Sequence, residues 1–169
     1  FFVAGPVVLY LLAAASLAAG FYIFNPFPYS FLAVFFVPPI LTGAVYTALS
    51  GAPETGAFLV GLPNAFILAG INVTFRKLYA IGEEPRPLRV MTVLLLYSLS
   101  LCAVVALIIF SFLPRAANSA SVAILIGMFF IFRIFKYEQK SPVPAVAAGI
   151  AMYGMTSICL AFSLIFTSF

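Results

Sequence analysis

Between Arg89 and Pro114 the chain reads VMTVLLLYSLSLCAVVALIIFSFL, residues 90–113, without a charged residue. A hydrocarbon core of about 30 Å is crossed by roughly 20 apolar residues in a helix, and this run exceeds that length. It does not alternate. Strands of a membrane barrel show apolar and polar positions in turn over about ten residues, whereas this run is apolar on every side. The spacing predicts a membrane-spanning helix.

Outward from it, five further runs have the same character: 1–24, 31–49, 56–75, 119–135 and 143–169. Turn formers separate them, among them Asn25, Pro26 and Pro28, then Gly51 and Pro53, then Pro114 and Asn118. The first run is too long for the apolar part of a signal peptide and lacks its basic start, so it reads as a span. The expected fold class is an all-α membrane protein. It forms a bundle of about six transmembrane helices with short loops, a single polytopic domain over 1–169.

Composition agrees. Hydrophobic residues make up 65% of the 169 and charged residues 7%, against about 45–50% and about 25% in soluble domains. A water-soluble fold of about 150 residues buries only some 70% of the surface it exposes unfolded, too little to hide this sequence. A soluble enzyme, a nucleic-acid-binding domain, a disordered linker and a disulfide scaffold are excluded. The four acids are Glu54, Glu83, Glu84 and Glu138; there is no His and no Trp. Without His the commonest ligand for haem or zinc and the commonest neutral-pH base are missing, so no cofactor and no metal is expected. Cys102 and Cys159 lie in separate apolar runs and read as small packing residues.

The eight basic residues outnumber the four acids, and their placement matters more than their sum. With six spans, Arg76, Lys77, Arg86, Arg89, Arg133, Lys136 and Lys140 fall on one side and Arg115 alone on the other. The positive-inside rule then puts 76–89 and 136–142 on the cytoplasmic side, or the matrix or stromal side of an organelle, with both termini opposite. Those seven residues are also candidate contacts for anionic lipid headgroups. A nucleic-acid partner is not expected; membrane lipids and other membrane subunits are.

Ionisable residues inside a membrane mark transport or proton relay because they are costly to keep there. None lies near a span centre, so a proton- or sodium-driven pump is not expected. Helix breakers are present: Pro38 and Pro39 in the second span, Pro63 and Asn64 in the third. Proline removes a backbone donor and strains the preceding turn, and in lipid the freed carbonyls need other partners; Thr42 and Asn64 are the nearest polar groups. Two readings stay open for Pro38, Pro39, Pro63, Asn64 and Asn72. They form a broken-helix site for a solute or lipid, or a packing kink. Small residues recur every fourth position at Gly61, Ala65 and Ala69, at Ala145 and Gly149, and at Ala14 and Ala18, the spacing that lets membrane helices approach closely.

Tyr22, Tyr29, Tyr79 and Tyr137 sit at span ends, where an interfacial belt belongs. Tyr10, Tyr46, Tyr97 and Tyr153 lie deeper, and each phenol needs a hydrogen-bond partner. Phe35, Phe36, Phe129, Phe130 and Phe132 suit lipid or another subunit. Asn72-Val73-Thr74 matches a glycosylation sequon, but its place within a span argues against a glycan.

The stretch 72–90 resembles part of the UbiA-type prenyltransferase family, in which an asparagine at a helix end precedes a loop closing on an Arg-x-Leu-x-Val run. Asn72, Arg86, Leu88 and Val90 keep that spacing. The family's diphosphate-binding aspartates are replaced by Arg76 and Ala80, so the resemblance implies the fold without the catalysis. Three functions remain. The first is a non-catalytic integral subunit of a larger membrane complex, acting by assembly, helix packing and lipid contact. The alternative is a carrier or channel for a lipid or small solute. The third is a membrane-embedded enzyme, for which 76–89 is the one polar cluster.

Overall fold

The computed structural model describes residues 5–24, 29–50, 54–79, 87–137 and 143–166, and these are helical apart from short turns. In chain order the helices are α1 (Gly5–Phe24), α2 (Tyr29–Ser50), α3 (Thr55–Val60), α4 (Leu62–Tyr79), α5 (Pro87–Ile109), α6 (Asn118–Tyr137) and α7 (Val143–Phe166), with a 3₁₀ turn at Arg115–Ala117 before α6. The stretches Thr55–Phe75, Val90–Ile109, Arg115–Tyr137 and Val143–Leu164 are each long and apolar enough to cross a membrane. Val34–Ala48, inside α2, is a shorter apolar helix.

The chain divides into two compact units, 1–65 and 66–169. In the first, α1 packs on α2 and α2 on α3. In the second, α6 packs on both α5 and α7. There the buried positions of α6 are Ala120, Ser121, Ile124, Gly127 and Ile131, spaced three or four apart as one face of a helix requires. Gly127 leaves room for the Met152 side chain of α7, whose sulfur would stand 2.5 Å from a methyl placed there. The opposite face of α6 carries Val122, Leu125, Ile126, Phe129, Phe130 and Phe132, all exposed. A soluble helix would be polar on that side.

Helix ends differ from the expectations in four places. The third span is interrupted at Gly61 rather than at Pro63 and Asn64. Pro63 has no N–H to give the Leu59 carbonyl, so the ladder fails four residues before the proline; the Gly61 N–H turns to the Phe58 carbonyl (3.2 Å) and the Ala65 N–H restarts the helix on the Gly61 carbonyl (3.0 Å). Next, α4 runs on through Arg76 and Lys77 to Tyr79, both being good helix formers. Third, α5 stops at Ile109, not Leu113. Ser111 takes φ 63°, its N–H bonds the Ile108 carbonyl (3.1 Å) and the Phe112 N–H bonds the Leu107 carbonyl (2.9 Å). That pair of bonds is the Schellman stop, here with serine in the position usually held by glycine. Finally, α2 is helical across Pro38 and Pro39 from Tyr29 to Ser50, so the two prolines do not divide it.

Candidate functional site

In the first unit, the interruption at Gly61 faces the double proline. A methyl group on Gly61 would lie 2.5 Å from the Pro39 Cα and 2.7 Å from its nitrogen, and would also strike the Thr42 hydroxyl. Gly61 itself has ordinary helical angles, φ −76° and ψ −15°. Glycine is therefore demanded by the neighbour's backbone and not by its own conformation. Thr42 donates its hydroxyl to the Pro38 carbonyl (2.8 Å) and the Pro39 carbonyl (3.0 Å) of its own helix, a common way for threonine to satisfy itself in an apolar helix. The carbonyls that the prolines deprive are those four residues earlier, on Val34 and Phe35. One turn beyond the joint, Pro63 and Asn64 are buried. The structure thus brings Pro38, Pro39, Gly61, Pro63 and Asn64 into one unit, with the Pro39 backbone filling the space in front of Gly61.

Asn72 is buried in the second unit. In the same unit Tyr97 of α5 has a fully enclosed side chain. Gly70 of α4 lies against its ring, where a methyl would strike ring carbons, and a methyl on Gly149 of α7 would come 3.1 Å from its hydroxyl and 2.7 Å from Ile71. Thr74 spends its proton on the Gly70 carbonyl (2.9 Å). The hydroxyls of Ser121 and Thr156 are buried with no hydrogen-bond partner, and that of Tyr97 has the Thr74 hydroxyl beside it, at a geometry short of a full hydrogen bond. The deep tyrosines therefore divide. Tyr46 donates to the Glu54 carboxylate, Tyr153 is half-buried and Tyr10 is exposed, and Tyr97 is enclosed with Thr74 beside its hydroxyl.

Of the small-residue positions, Ala65 and Ala69 are fully buried, Ala145 nearly so, and Gly61 and Gly149 are buried. Ala14 is exposed, so the stripe read on the first span does not place it in a contact. The side chain of Ala18 lies outside the described residues.

Among the described residues, basic side chains gather at the end of α6. The Arg133 guanidinium stands over the Phe129 ring (5.9 Å to its centroid) and the Tyr137 ring (5.7 Å), and the Lys136 ammonium over Tyr137 (5.4 Å). Positions 129, 133 and 137 are one turn apart and share a face, which gives each cation an aromatic plane and leaves both exposed. Lys136 also lies in the last turn of α6, where a positive charge meets the negative end of the helix dipole. Arg86 and Lys140 lie outside the described residues, as do the side chains of Arg76, Lys77 and Arg89. Cys102 and Cys159 are on α5 and α7 and are not bonded. Among the described residues, no three His, Cys, Asp or Glu side chains gather to hold a metal.

No protein-family model, curated protein or solved structure matches the chain. The likeness over 72–90 therefore rests on those residues alone. Sequence reasoning missed three features of the site: the place of Gly61 as the true interruption, the enclosure of Tyr97 between two glycines, and the hollow beside Arg115 described below.

Proposed function

We propose that the chain crosses a membrane six times and serves as a non-catalytic integral subunit of a larger membrane assembly. Residues 76–89 and 136–142 face the cytoplasm, matrix or stroma, and both termini face the other side. The observation that carries this reading is the outer face of α6. In the apolar 18-residue stretch of Arg115–Tyr137 22% is buried within the chain, against 56% in that of Thr55–Phe75, and the large apolar side chains it exposes are Val, Leu, Ile and Phe. Exposed apolar surface on this scale marks lipid or partner contact. Between helices in lipid the attraction is close fit rather than water exclusion, and Phe129, Phe130 and Phe132 offer broad rings for such a fit. The buried face of α6 is lined by Ala, Ser, Gly and Ile and carries no ionisable group.

Gentle extraction of the native protein, with native-gel size and mass spectrometry of what co-migrates, tests this. Migration in a large particle with stoichiometric partners supports the subunit reading. A stable, monodisperse single chain in mild detergent overturns it. One observation favours a second reading, a carrier for a lipid or small solute: the hydrogen-bond ladder of the third span is broken at Gly61, with Asn64 buried one turn on. Specific uptake into liposomes that is lost on Asn64→Leu supports the carrier; unchanged uptake in that variant removes the site.

A further inference from the structure

Where α5 gives way to α6, two adjoining hollows open beside Arg115. The larger, of about 730 Å³, is lined by Ser111 and Arg115 together with Ile108, Ile109, Phe112 and Leu164. The smaller, of about 330 Å³, shares Ile108, Ile109 and Arg115 and runs on to Val105 and Asn118. Both lie within the roughly 300–1,000 Å³ of small-molecule sites. Arg115 is exposed and makes no ion pair with a described residue. No Asp or Glu occurs between Glu84 and Glu138, so the stretch that builds this corner supplies no carboxylate to neutralise it. Arg115 is thus open to an anion from outside.

The walls say what kind. Ile109, Phe112 and Leu164 are exposed and give a free aqueous anion nothing to gain, while an amphiphile covers them. The two hollows are also ordered along α5. Both meet at Arg115, Ile108 and Ile109; the larger extends past the helix end to Ser111, and the smaller continues one turn back into the span at Val105. That is the order in which a bilayer lipid presents its headgroup and its chain.

We propose that this corner binds a phospholipid of the leaflet on its side. The phosphate sits on Arg115 beside the Ser111 hydroxyl, and an acyl chain lies along Ile108 and Ile109 toward Val105. The assignment rests on the membrane-spanning reading and adds to it a specific ligand class and site.

The full chain is purified in mild detergent, stripped of lipid, and offered phosphatidylglycerol or diacylglycerol with the same chains; retention is read by native mass spectrometry. Phosphatidylglycerol is retained over diacylglycerol, and Arg115→Gln lowers its retention by about fivefold, the worth of one basic residue at an anionic surface. Val105→Trp, which fills the apolar hollow and keeps the charge, also lowers retention. Arg115→Lys keeps most of it and controls for folding. Equal retention in Arg115→Gln, equal binding of diacylglycerol, or displacement by inorganic phosphate alone overturns the site. Alkaline carbonate extraction separates the two levels of failure. A chain released from membranes refutes the spanning reading, and a chain that stays while Arg115→Gln still holds lipid refutes only this corner.

Discussion

Ser111 holds a left-handed backbone with a side chain that disfavours it, φ 63°, at a cost of roughly 1 kcal/mol relative to glycine. Ser111→Gly should therefore raise stability by about 0.5–1 kcal/mol, after allowing for the greater freedom glycine gains when unfolded; thermal unfolding in detergent checks it. Tyr97 is the second residue that works against itself. Its enclosed hydroxyl has only a poorly aligned contact with Thr74, and a buried hydroxyl left unpaired costs about 1–3 kcal/mol. Tyr97→Phe should leave the packing against Gly70 and Gly149 intact and stabilise by about 1 kcal/mol in the same assay. A loss of stability instead would show that the hydroxyl is bonded in the membrane. Neither residue could be singled out beforehand. A Schellman stop is usually announced by glycine, and a tyrosine within an apolar run gives no sign of whether its neighbours are close enough to exclude every partner.

Among the elements, the contact of α2 with the interruption between α3 and α4 is the least forgiving. The atoms facing Gly61 are the Thr42 hydroxyl and backbone atoms of Pro39, and the backbone atoms cannot rotate away as a side chain can. Gly61→Ala should destabilise by about 1–3 kcal/mol through overpacking. Gly154 in α7 has nothing within 4 Å of the same position; there the substitution should be neutral or gain up to about 1 kcal/mol of helix propensity. Chemical denaturation of the two variants side by side separates a close-approach glycine from an idle one. The existence of these helices was legible from charge-free runs because hydropathy reports how much of the chain suits a membrane. Their ends were less so. Hydropathy is blind to the hydrogen-bond ladder, which at α5 ends four residues inside the apolar run and at α4 continues past it through Arg76 and Lys77. The joint itself was half visible: the prolines and Asn64 were marked, but their partner was Gly61, noted only as one of a small-residue series.

At the scale of the whole molecule, the exposed face of α6 was foreseeable from its phenylalanines. The hollow at Arg115 was not, because it depends on the early stop of α5 that turns Phe112 and Leu113 aside. That stop leaves α6 bounded by Arg115 before its first turn and by Arg133 near its last. The residues from 115 to 133, at about 1.5 Å of rise each, set the two arginines roughly 27 Å apart. Bilayers differ by several ångströms around that value, the plasma membrane reaching about 32–33 Å and the endoplasmic reticulum about 27 Å. Reconstitution in phosphatidylcholines of increasing chain length should therefore lower the melting temperature once the hydrocarbon exceeds that separation, and a flat response would show that α6 does not span. The separation of two arginines thus acts as a gauge. A membrane thicker than the gauge would draw the guanidinium groups below its surface, so bilayer thickness alone would set where this helix fits without strain.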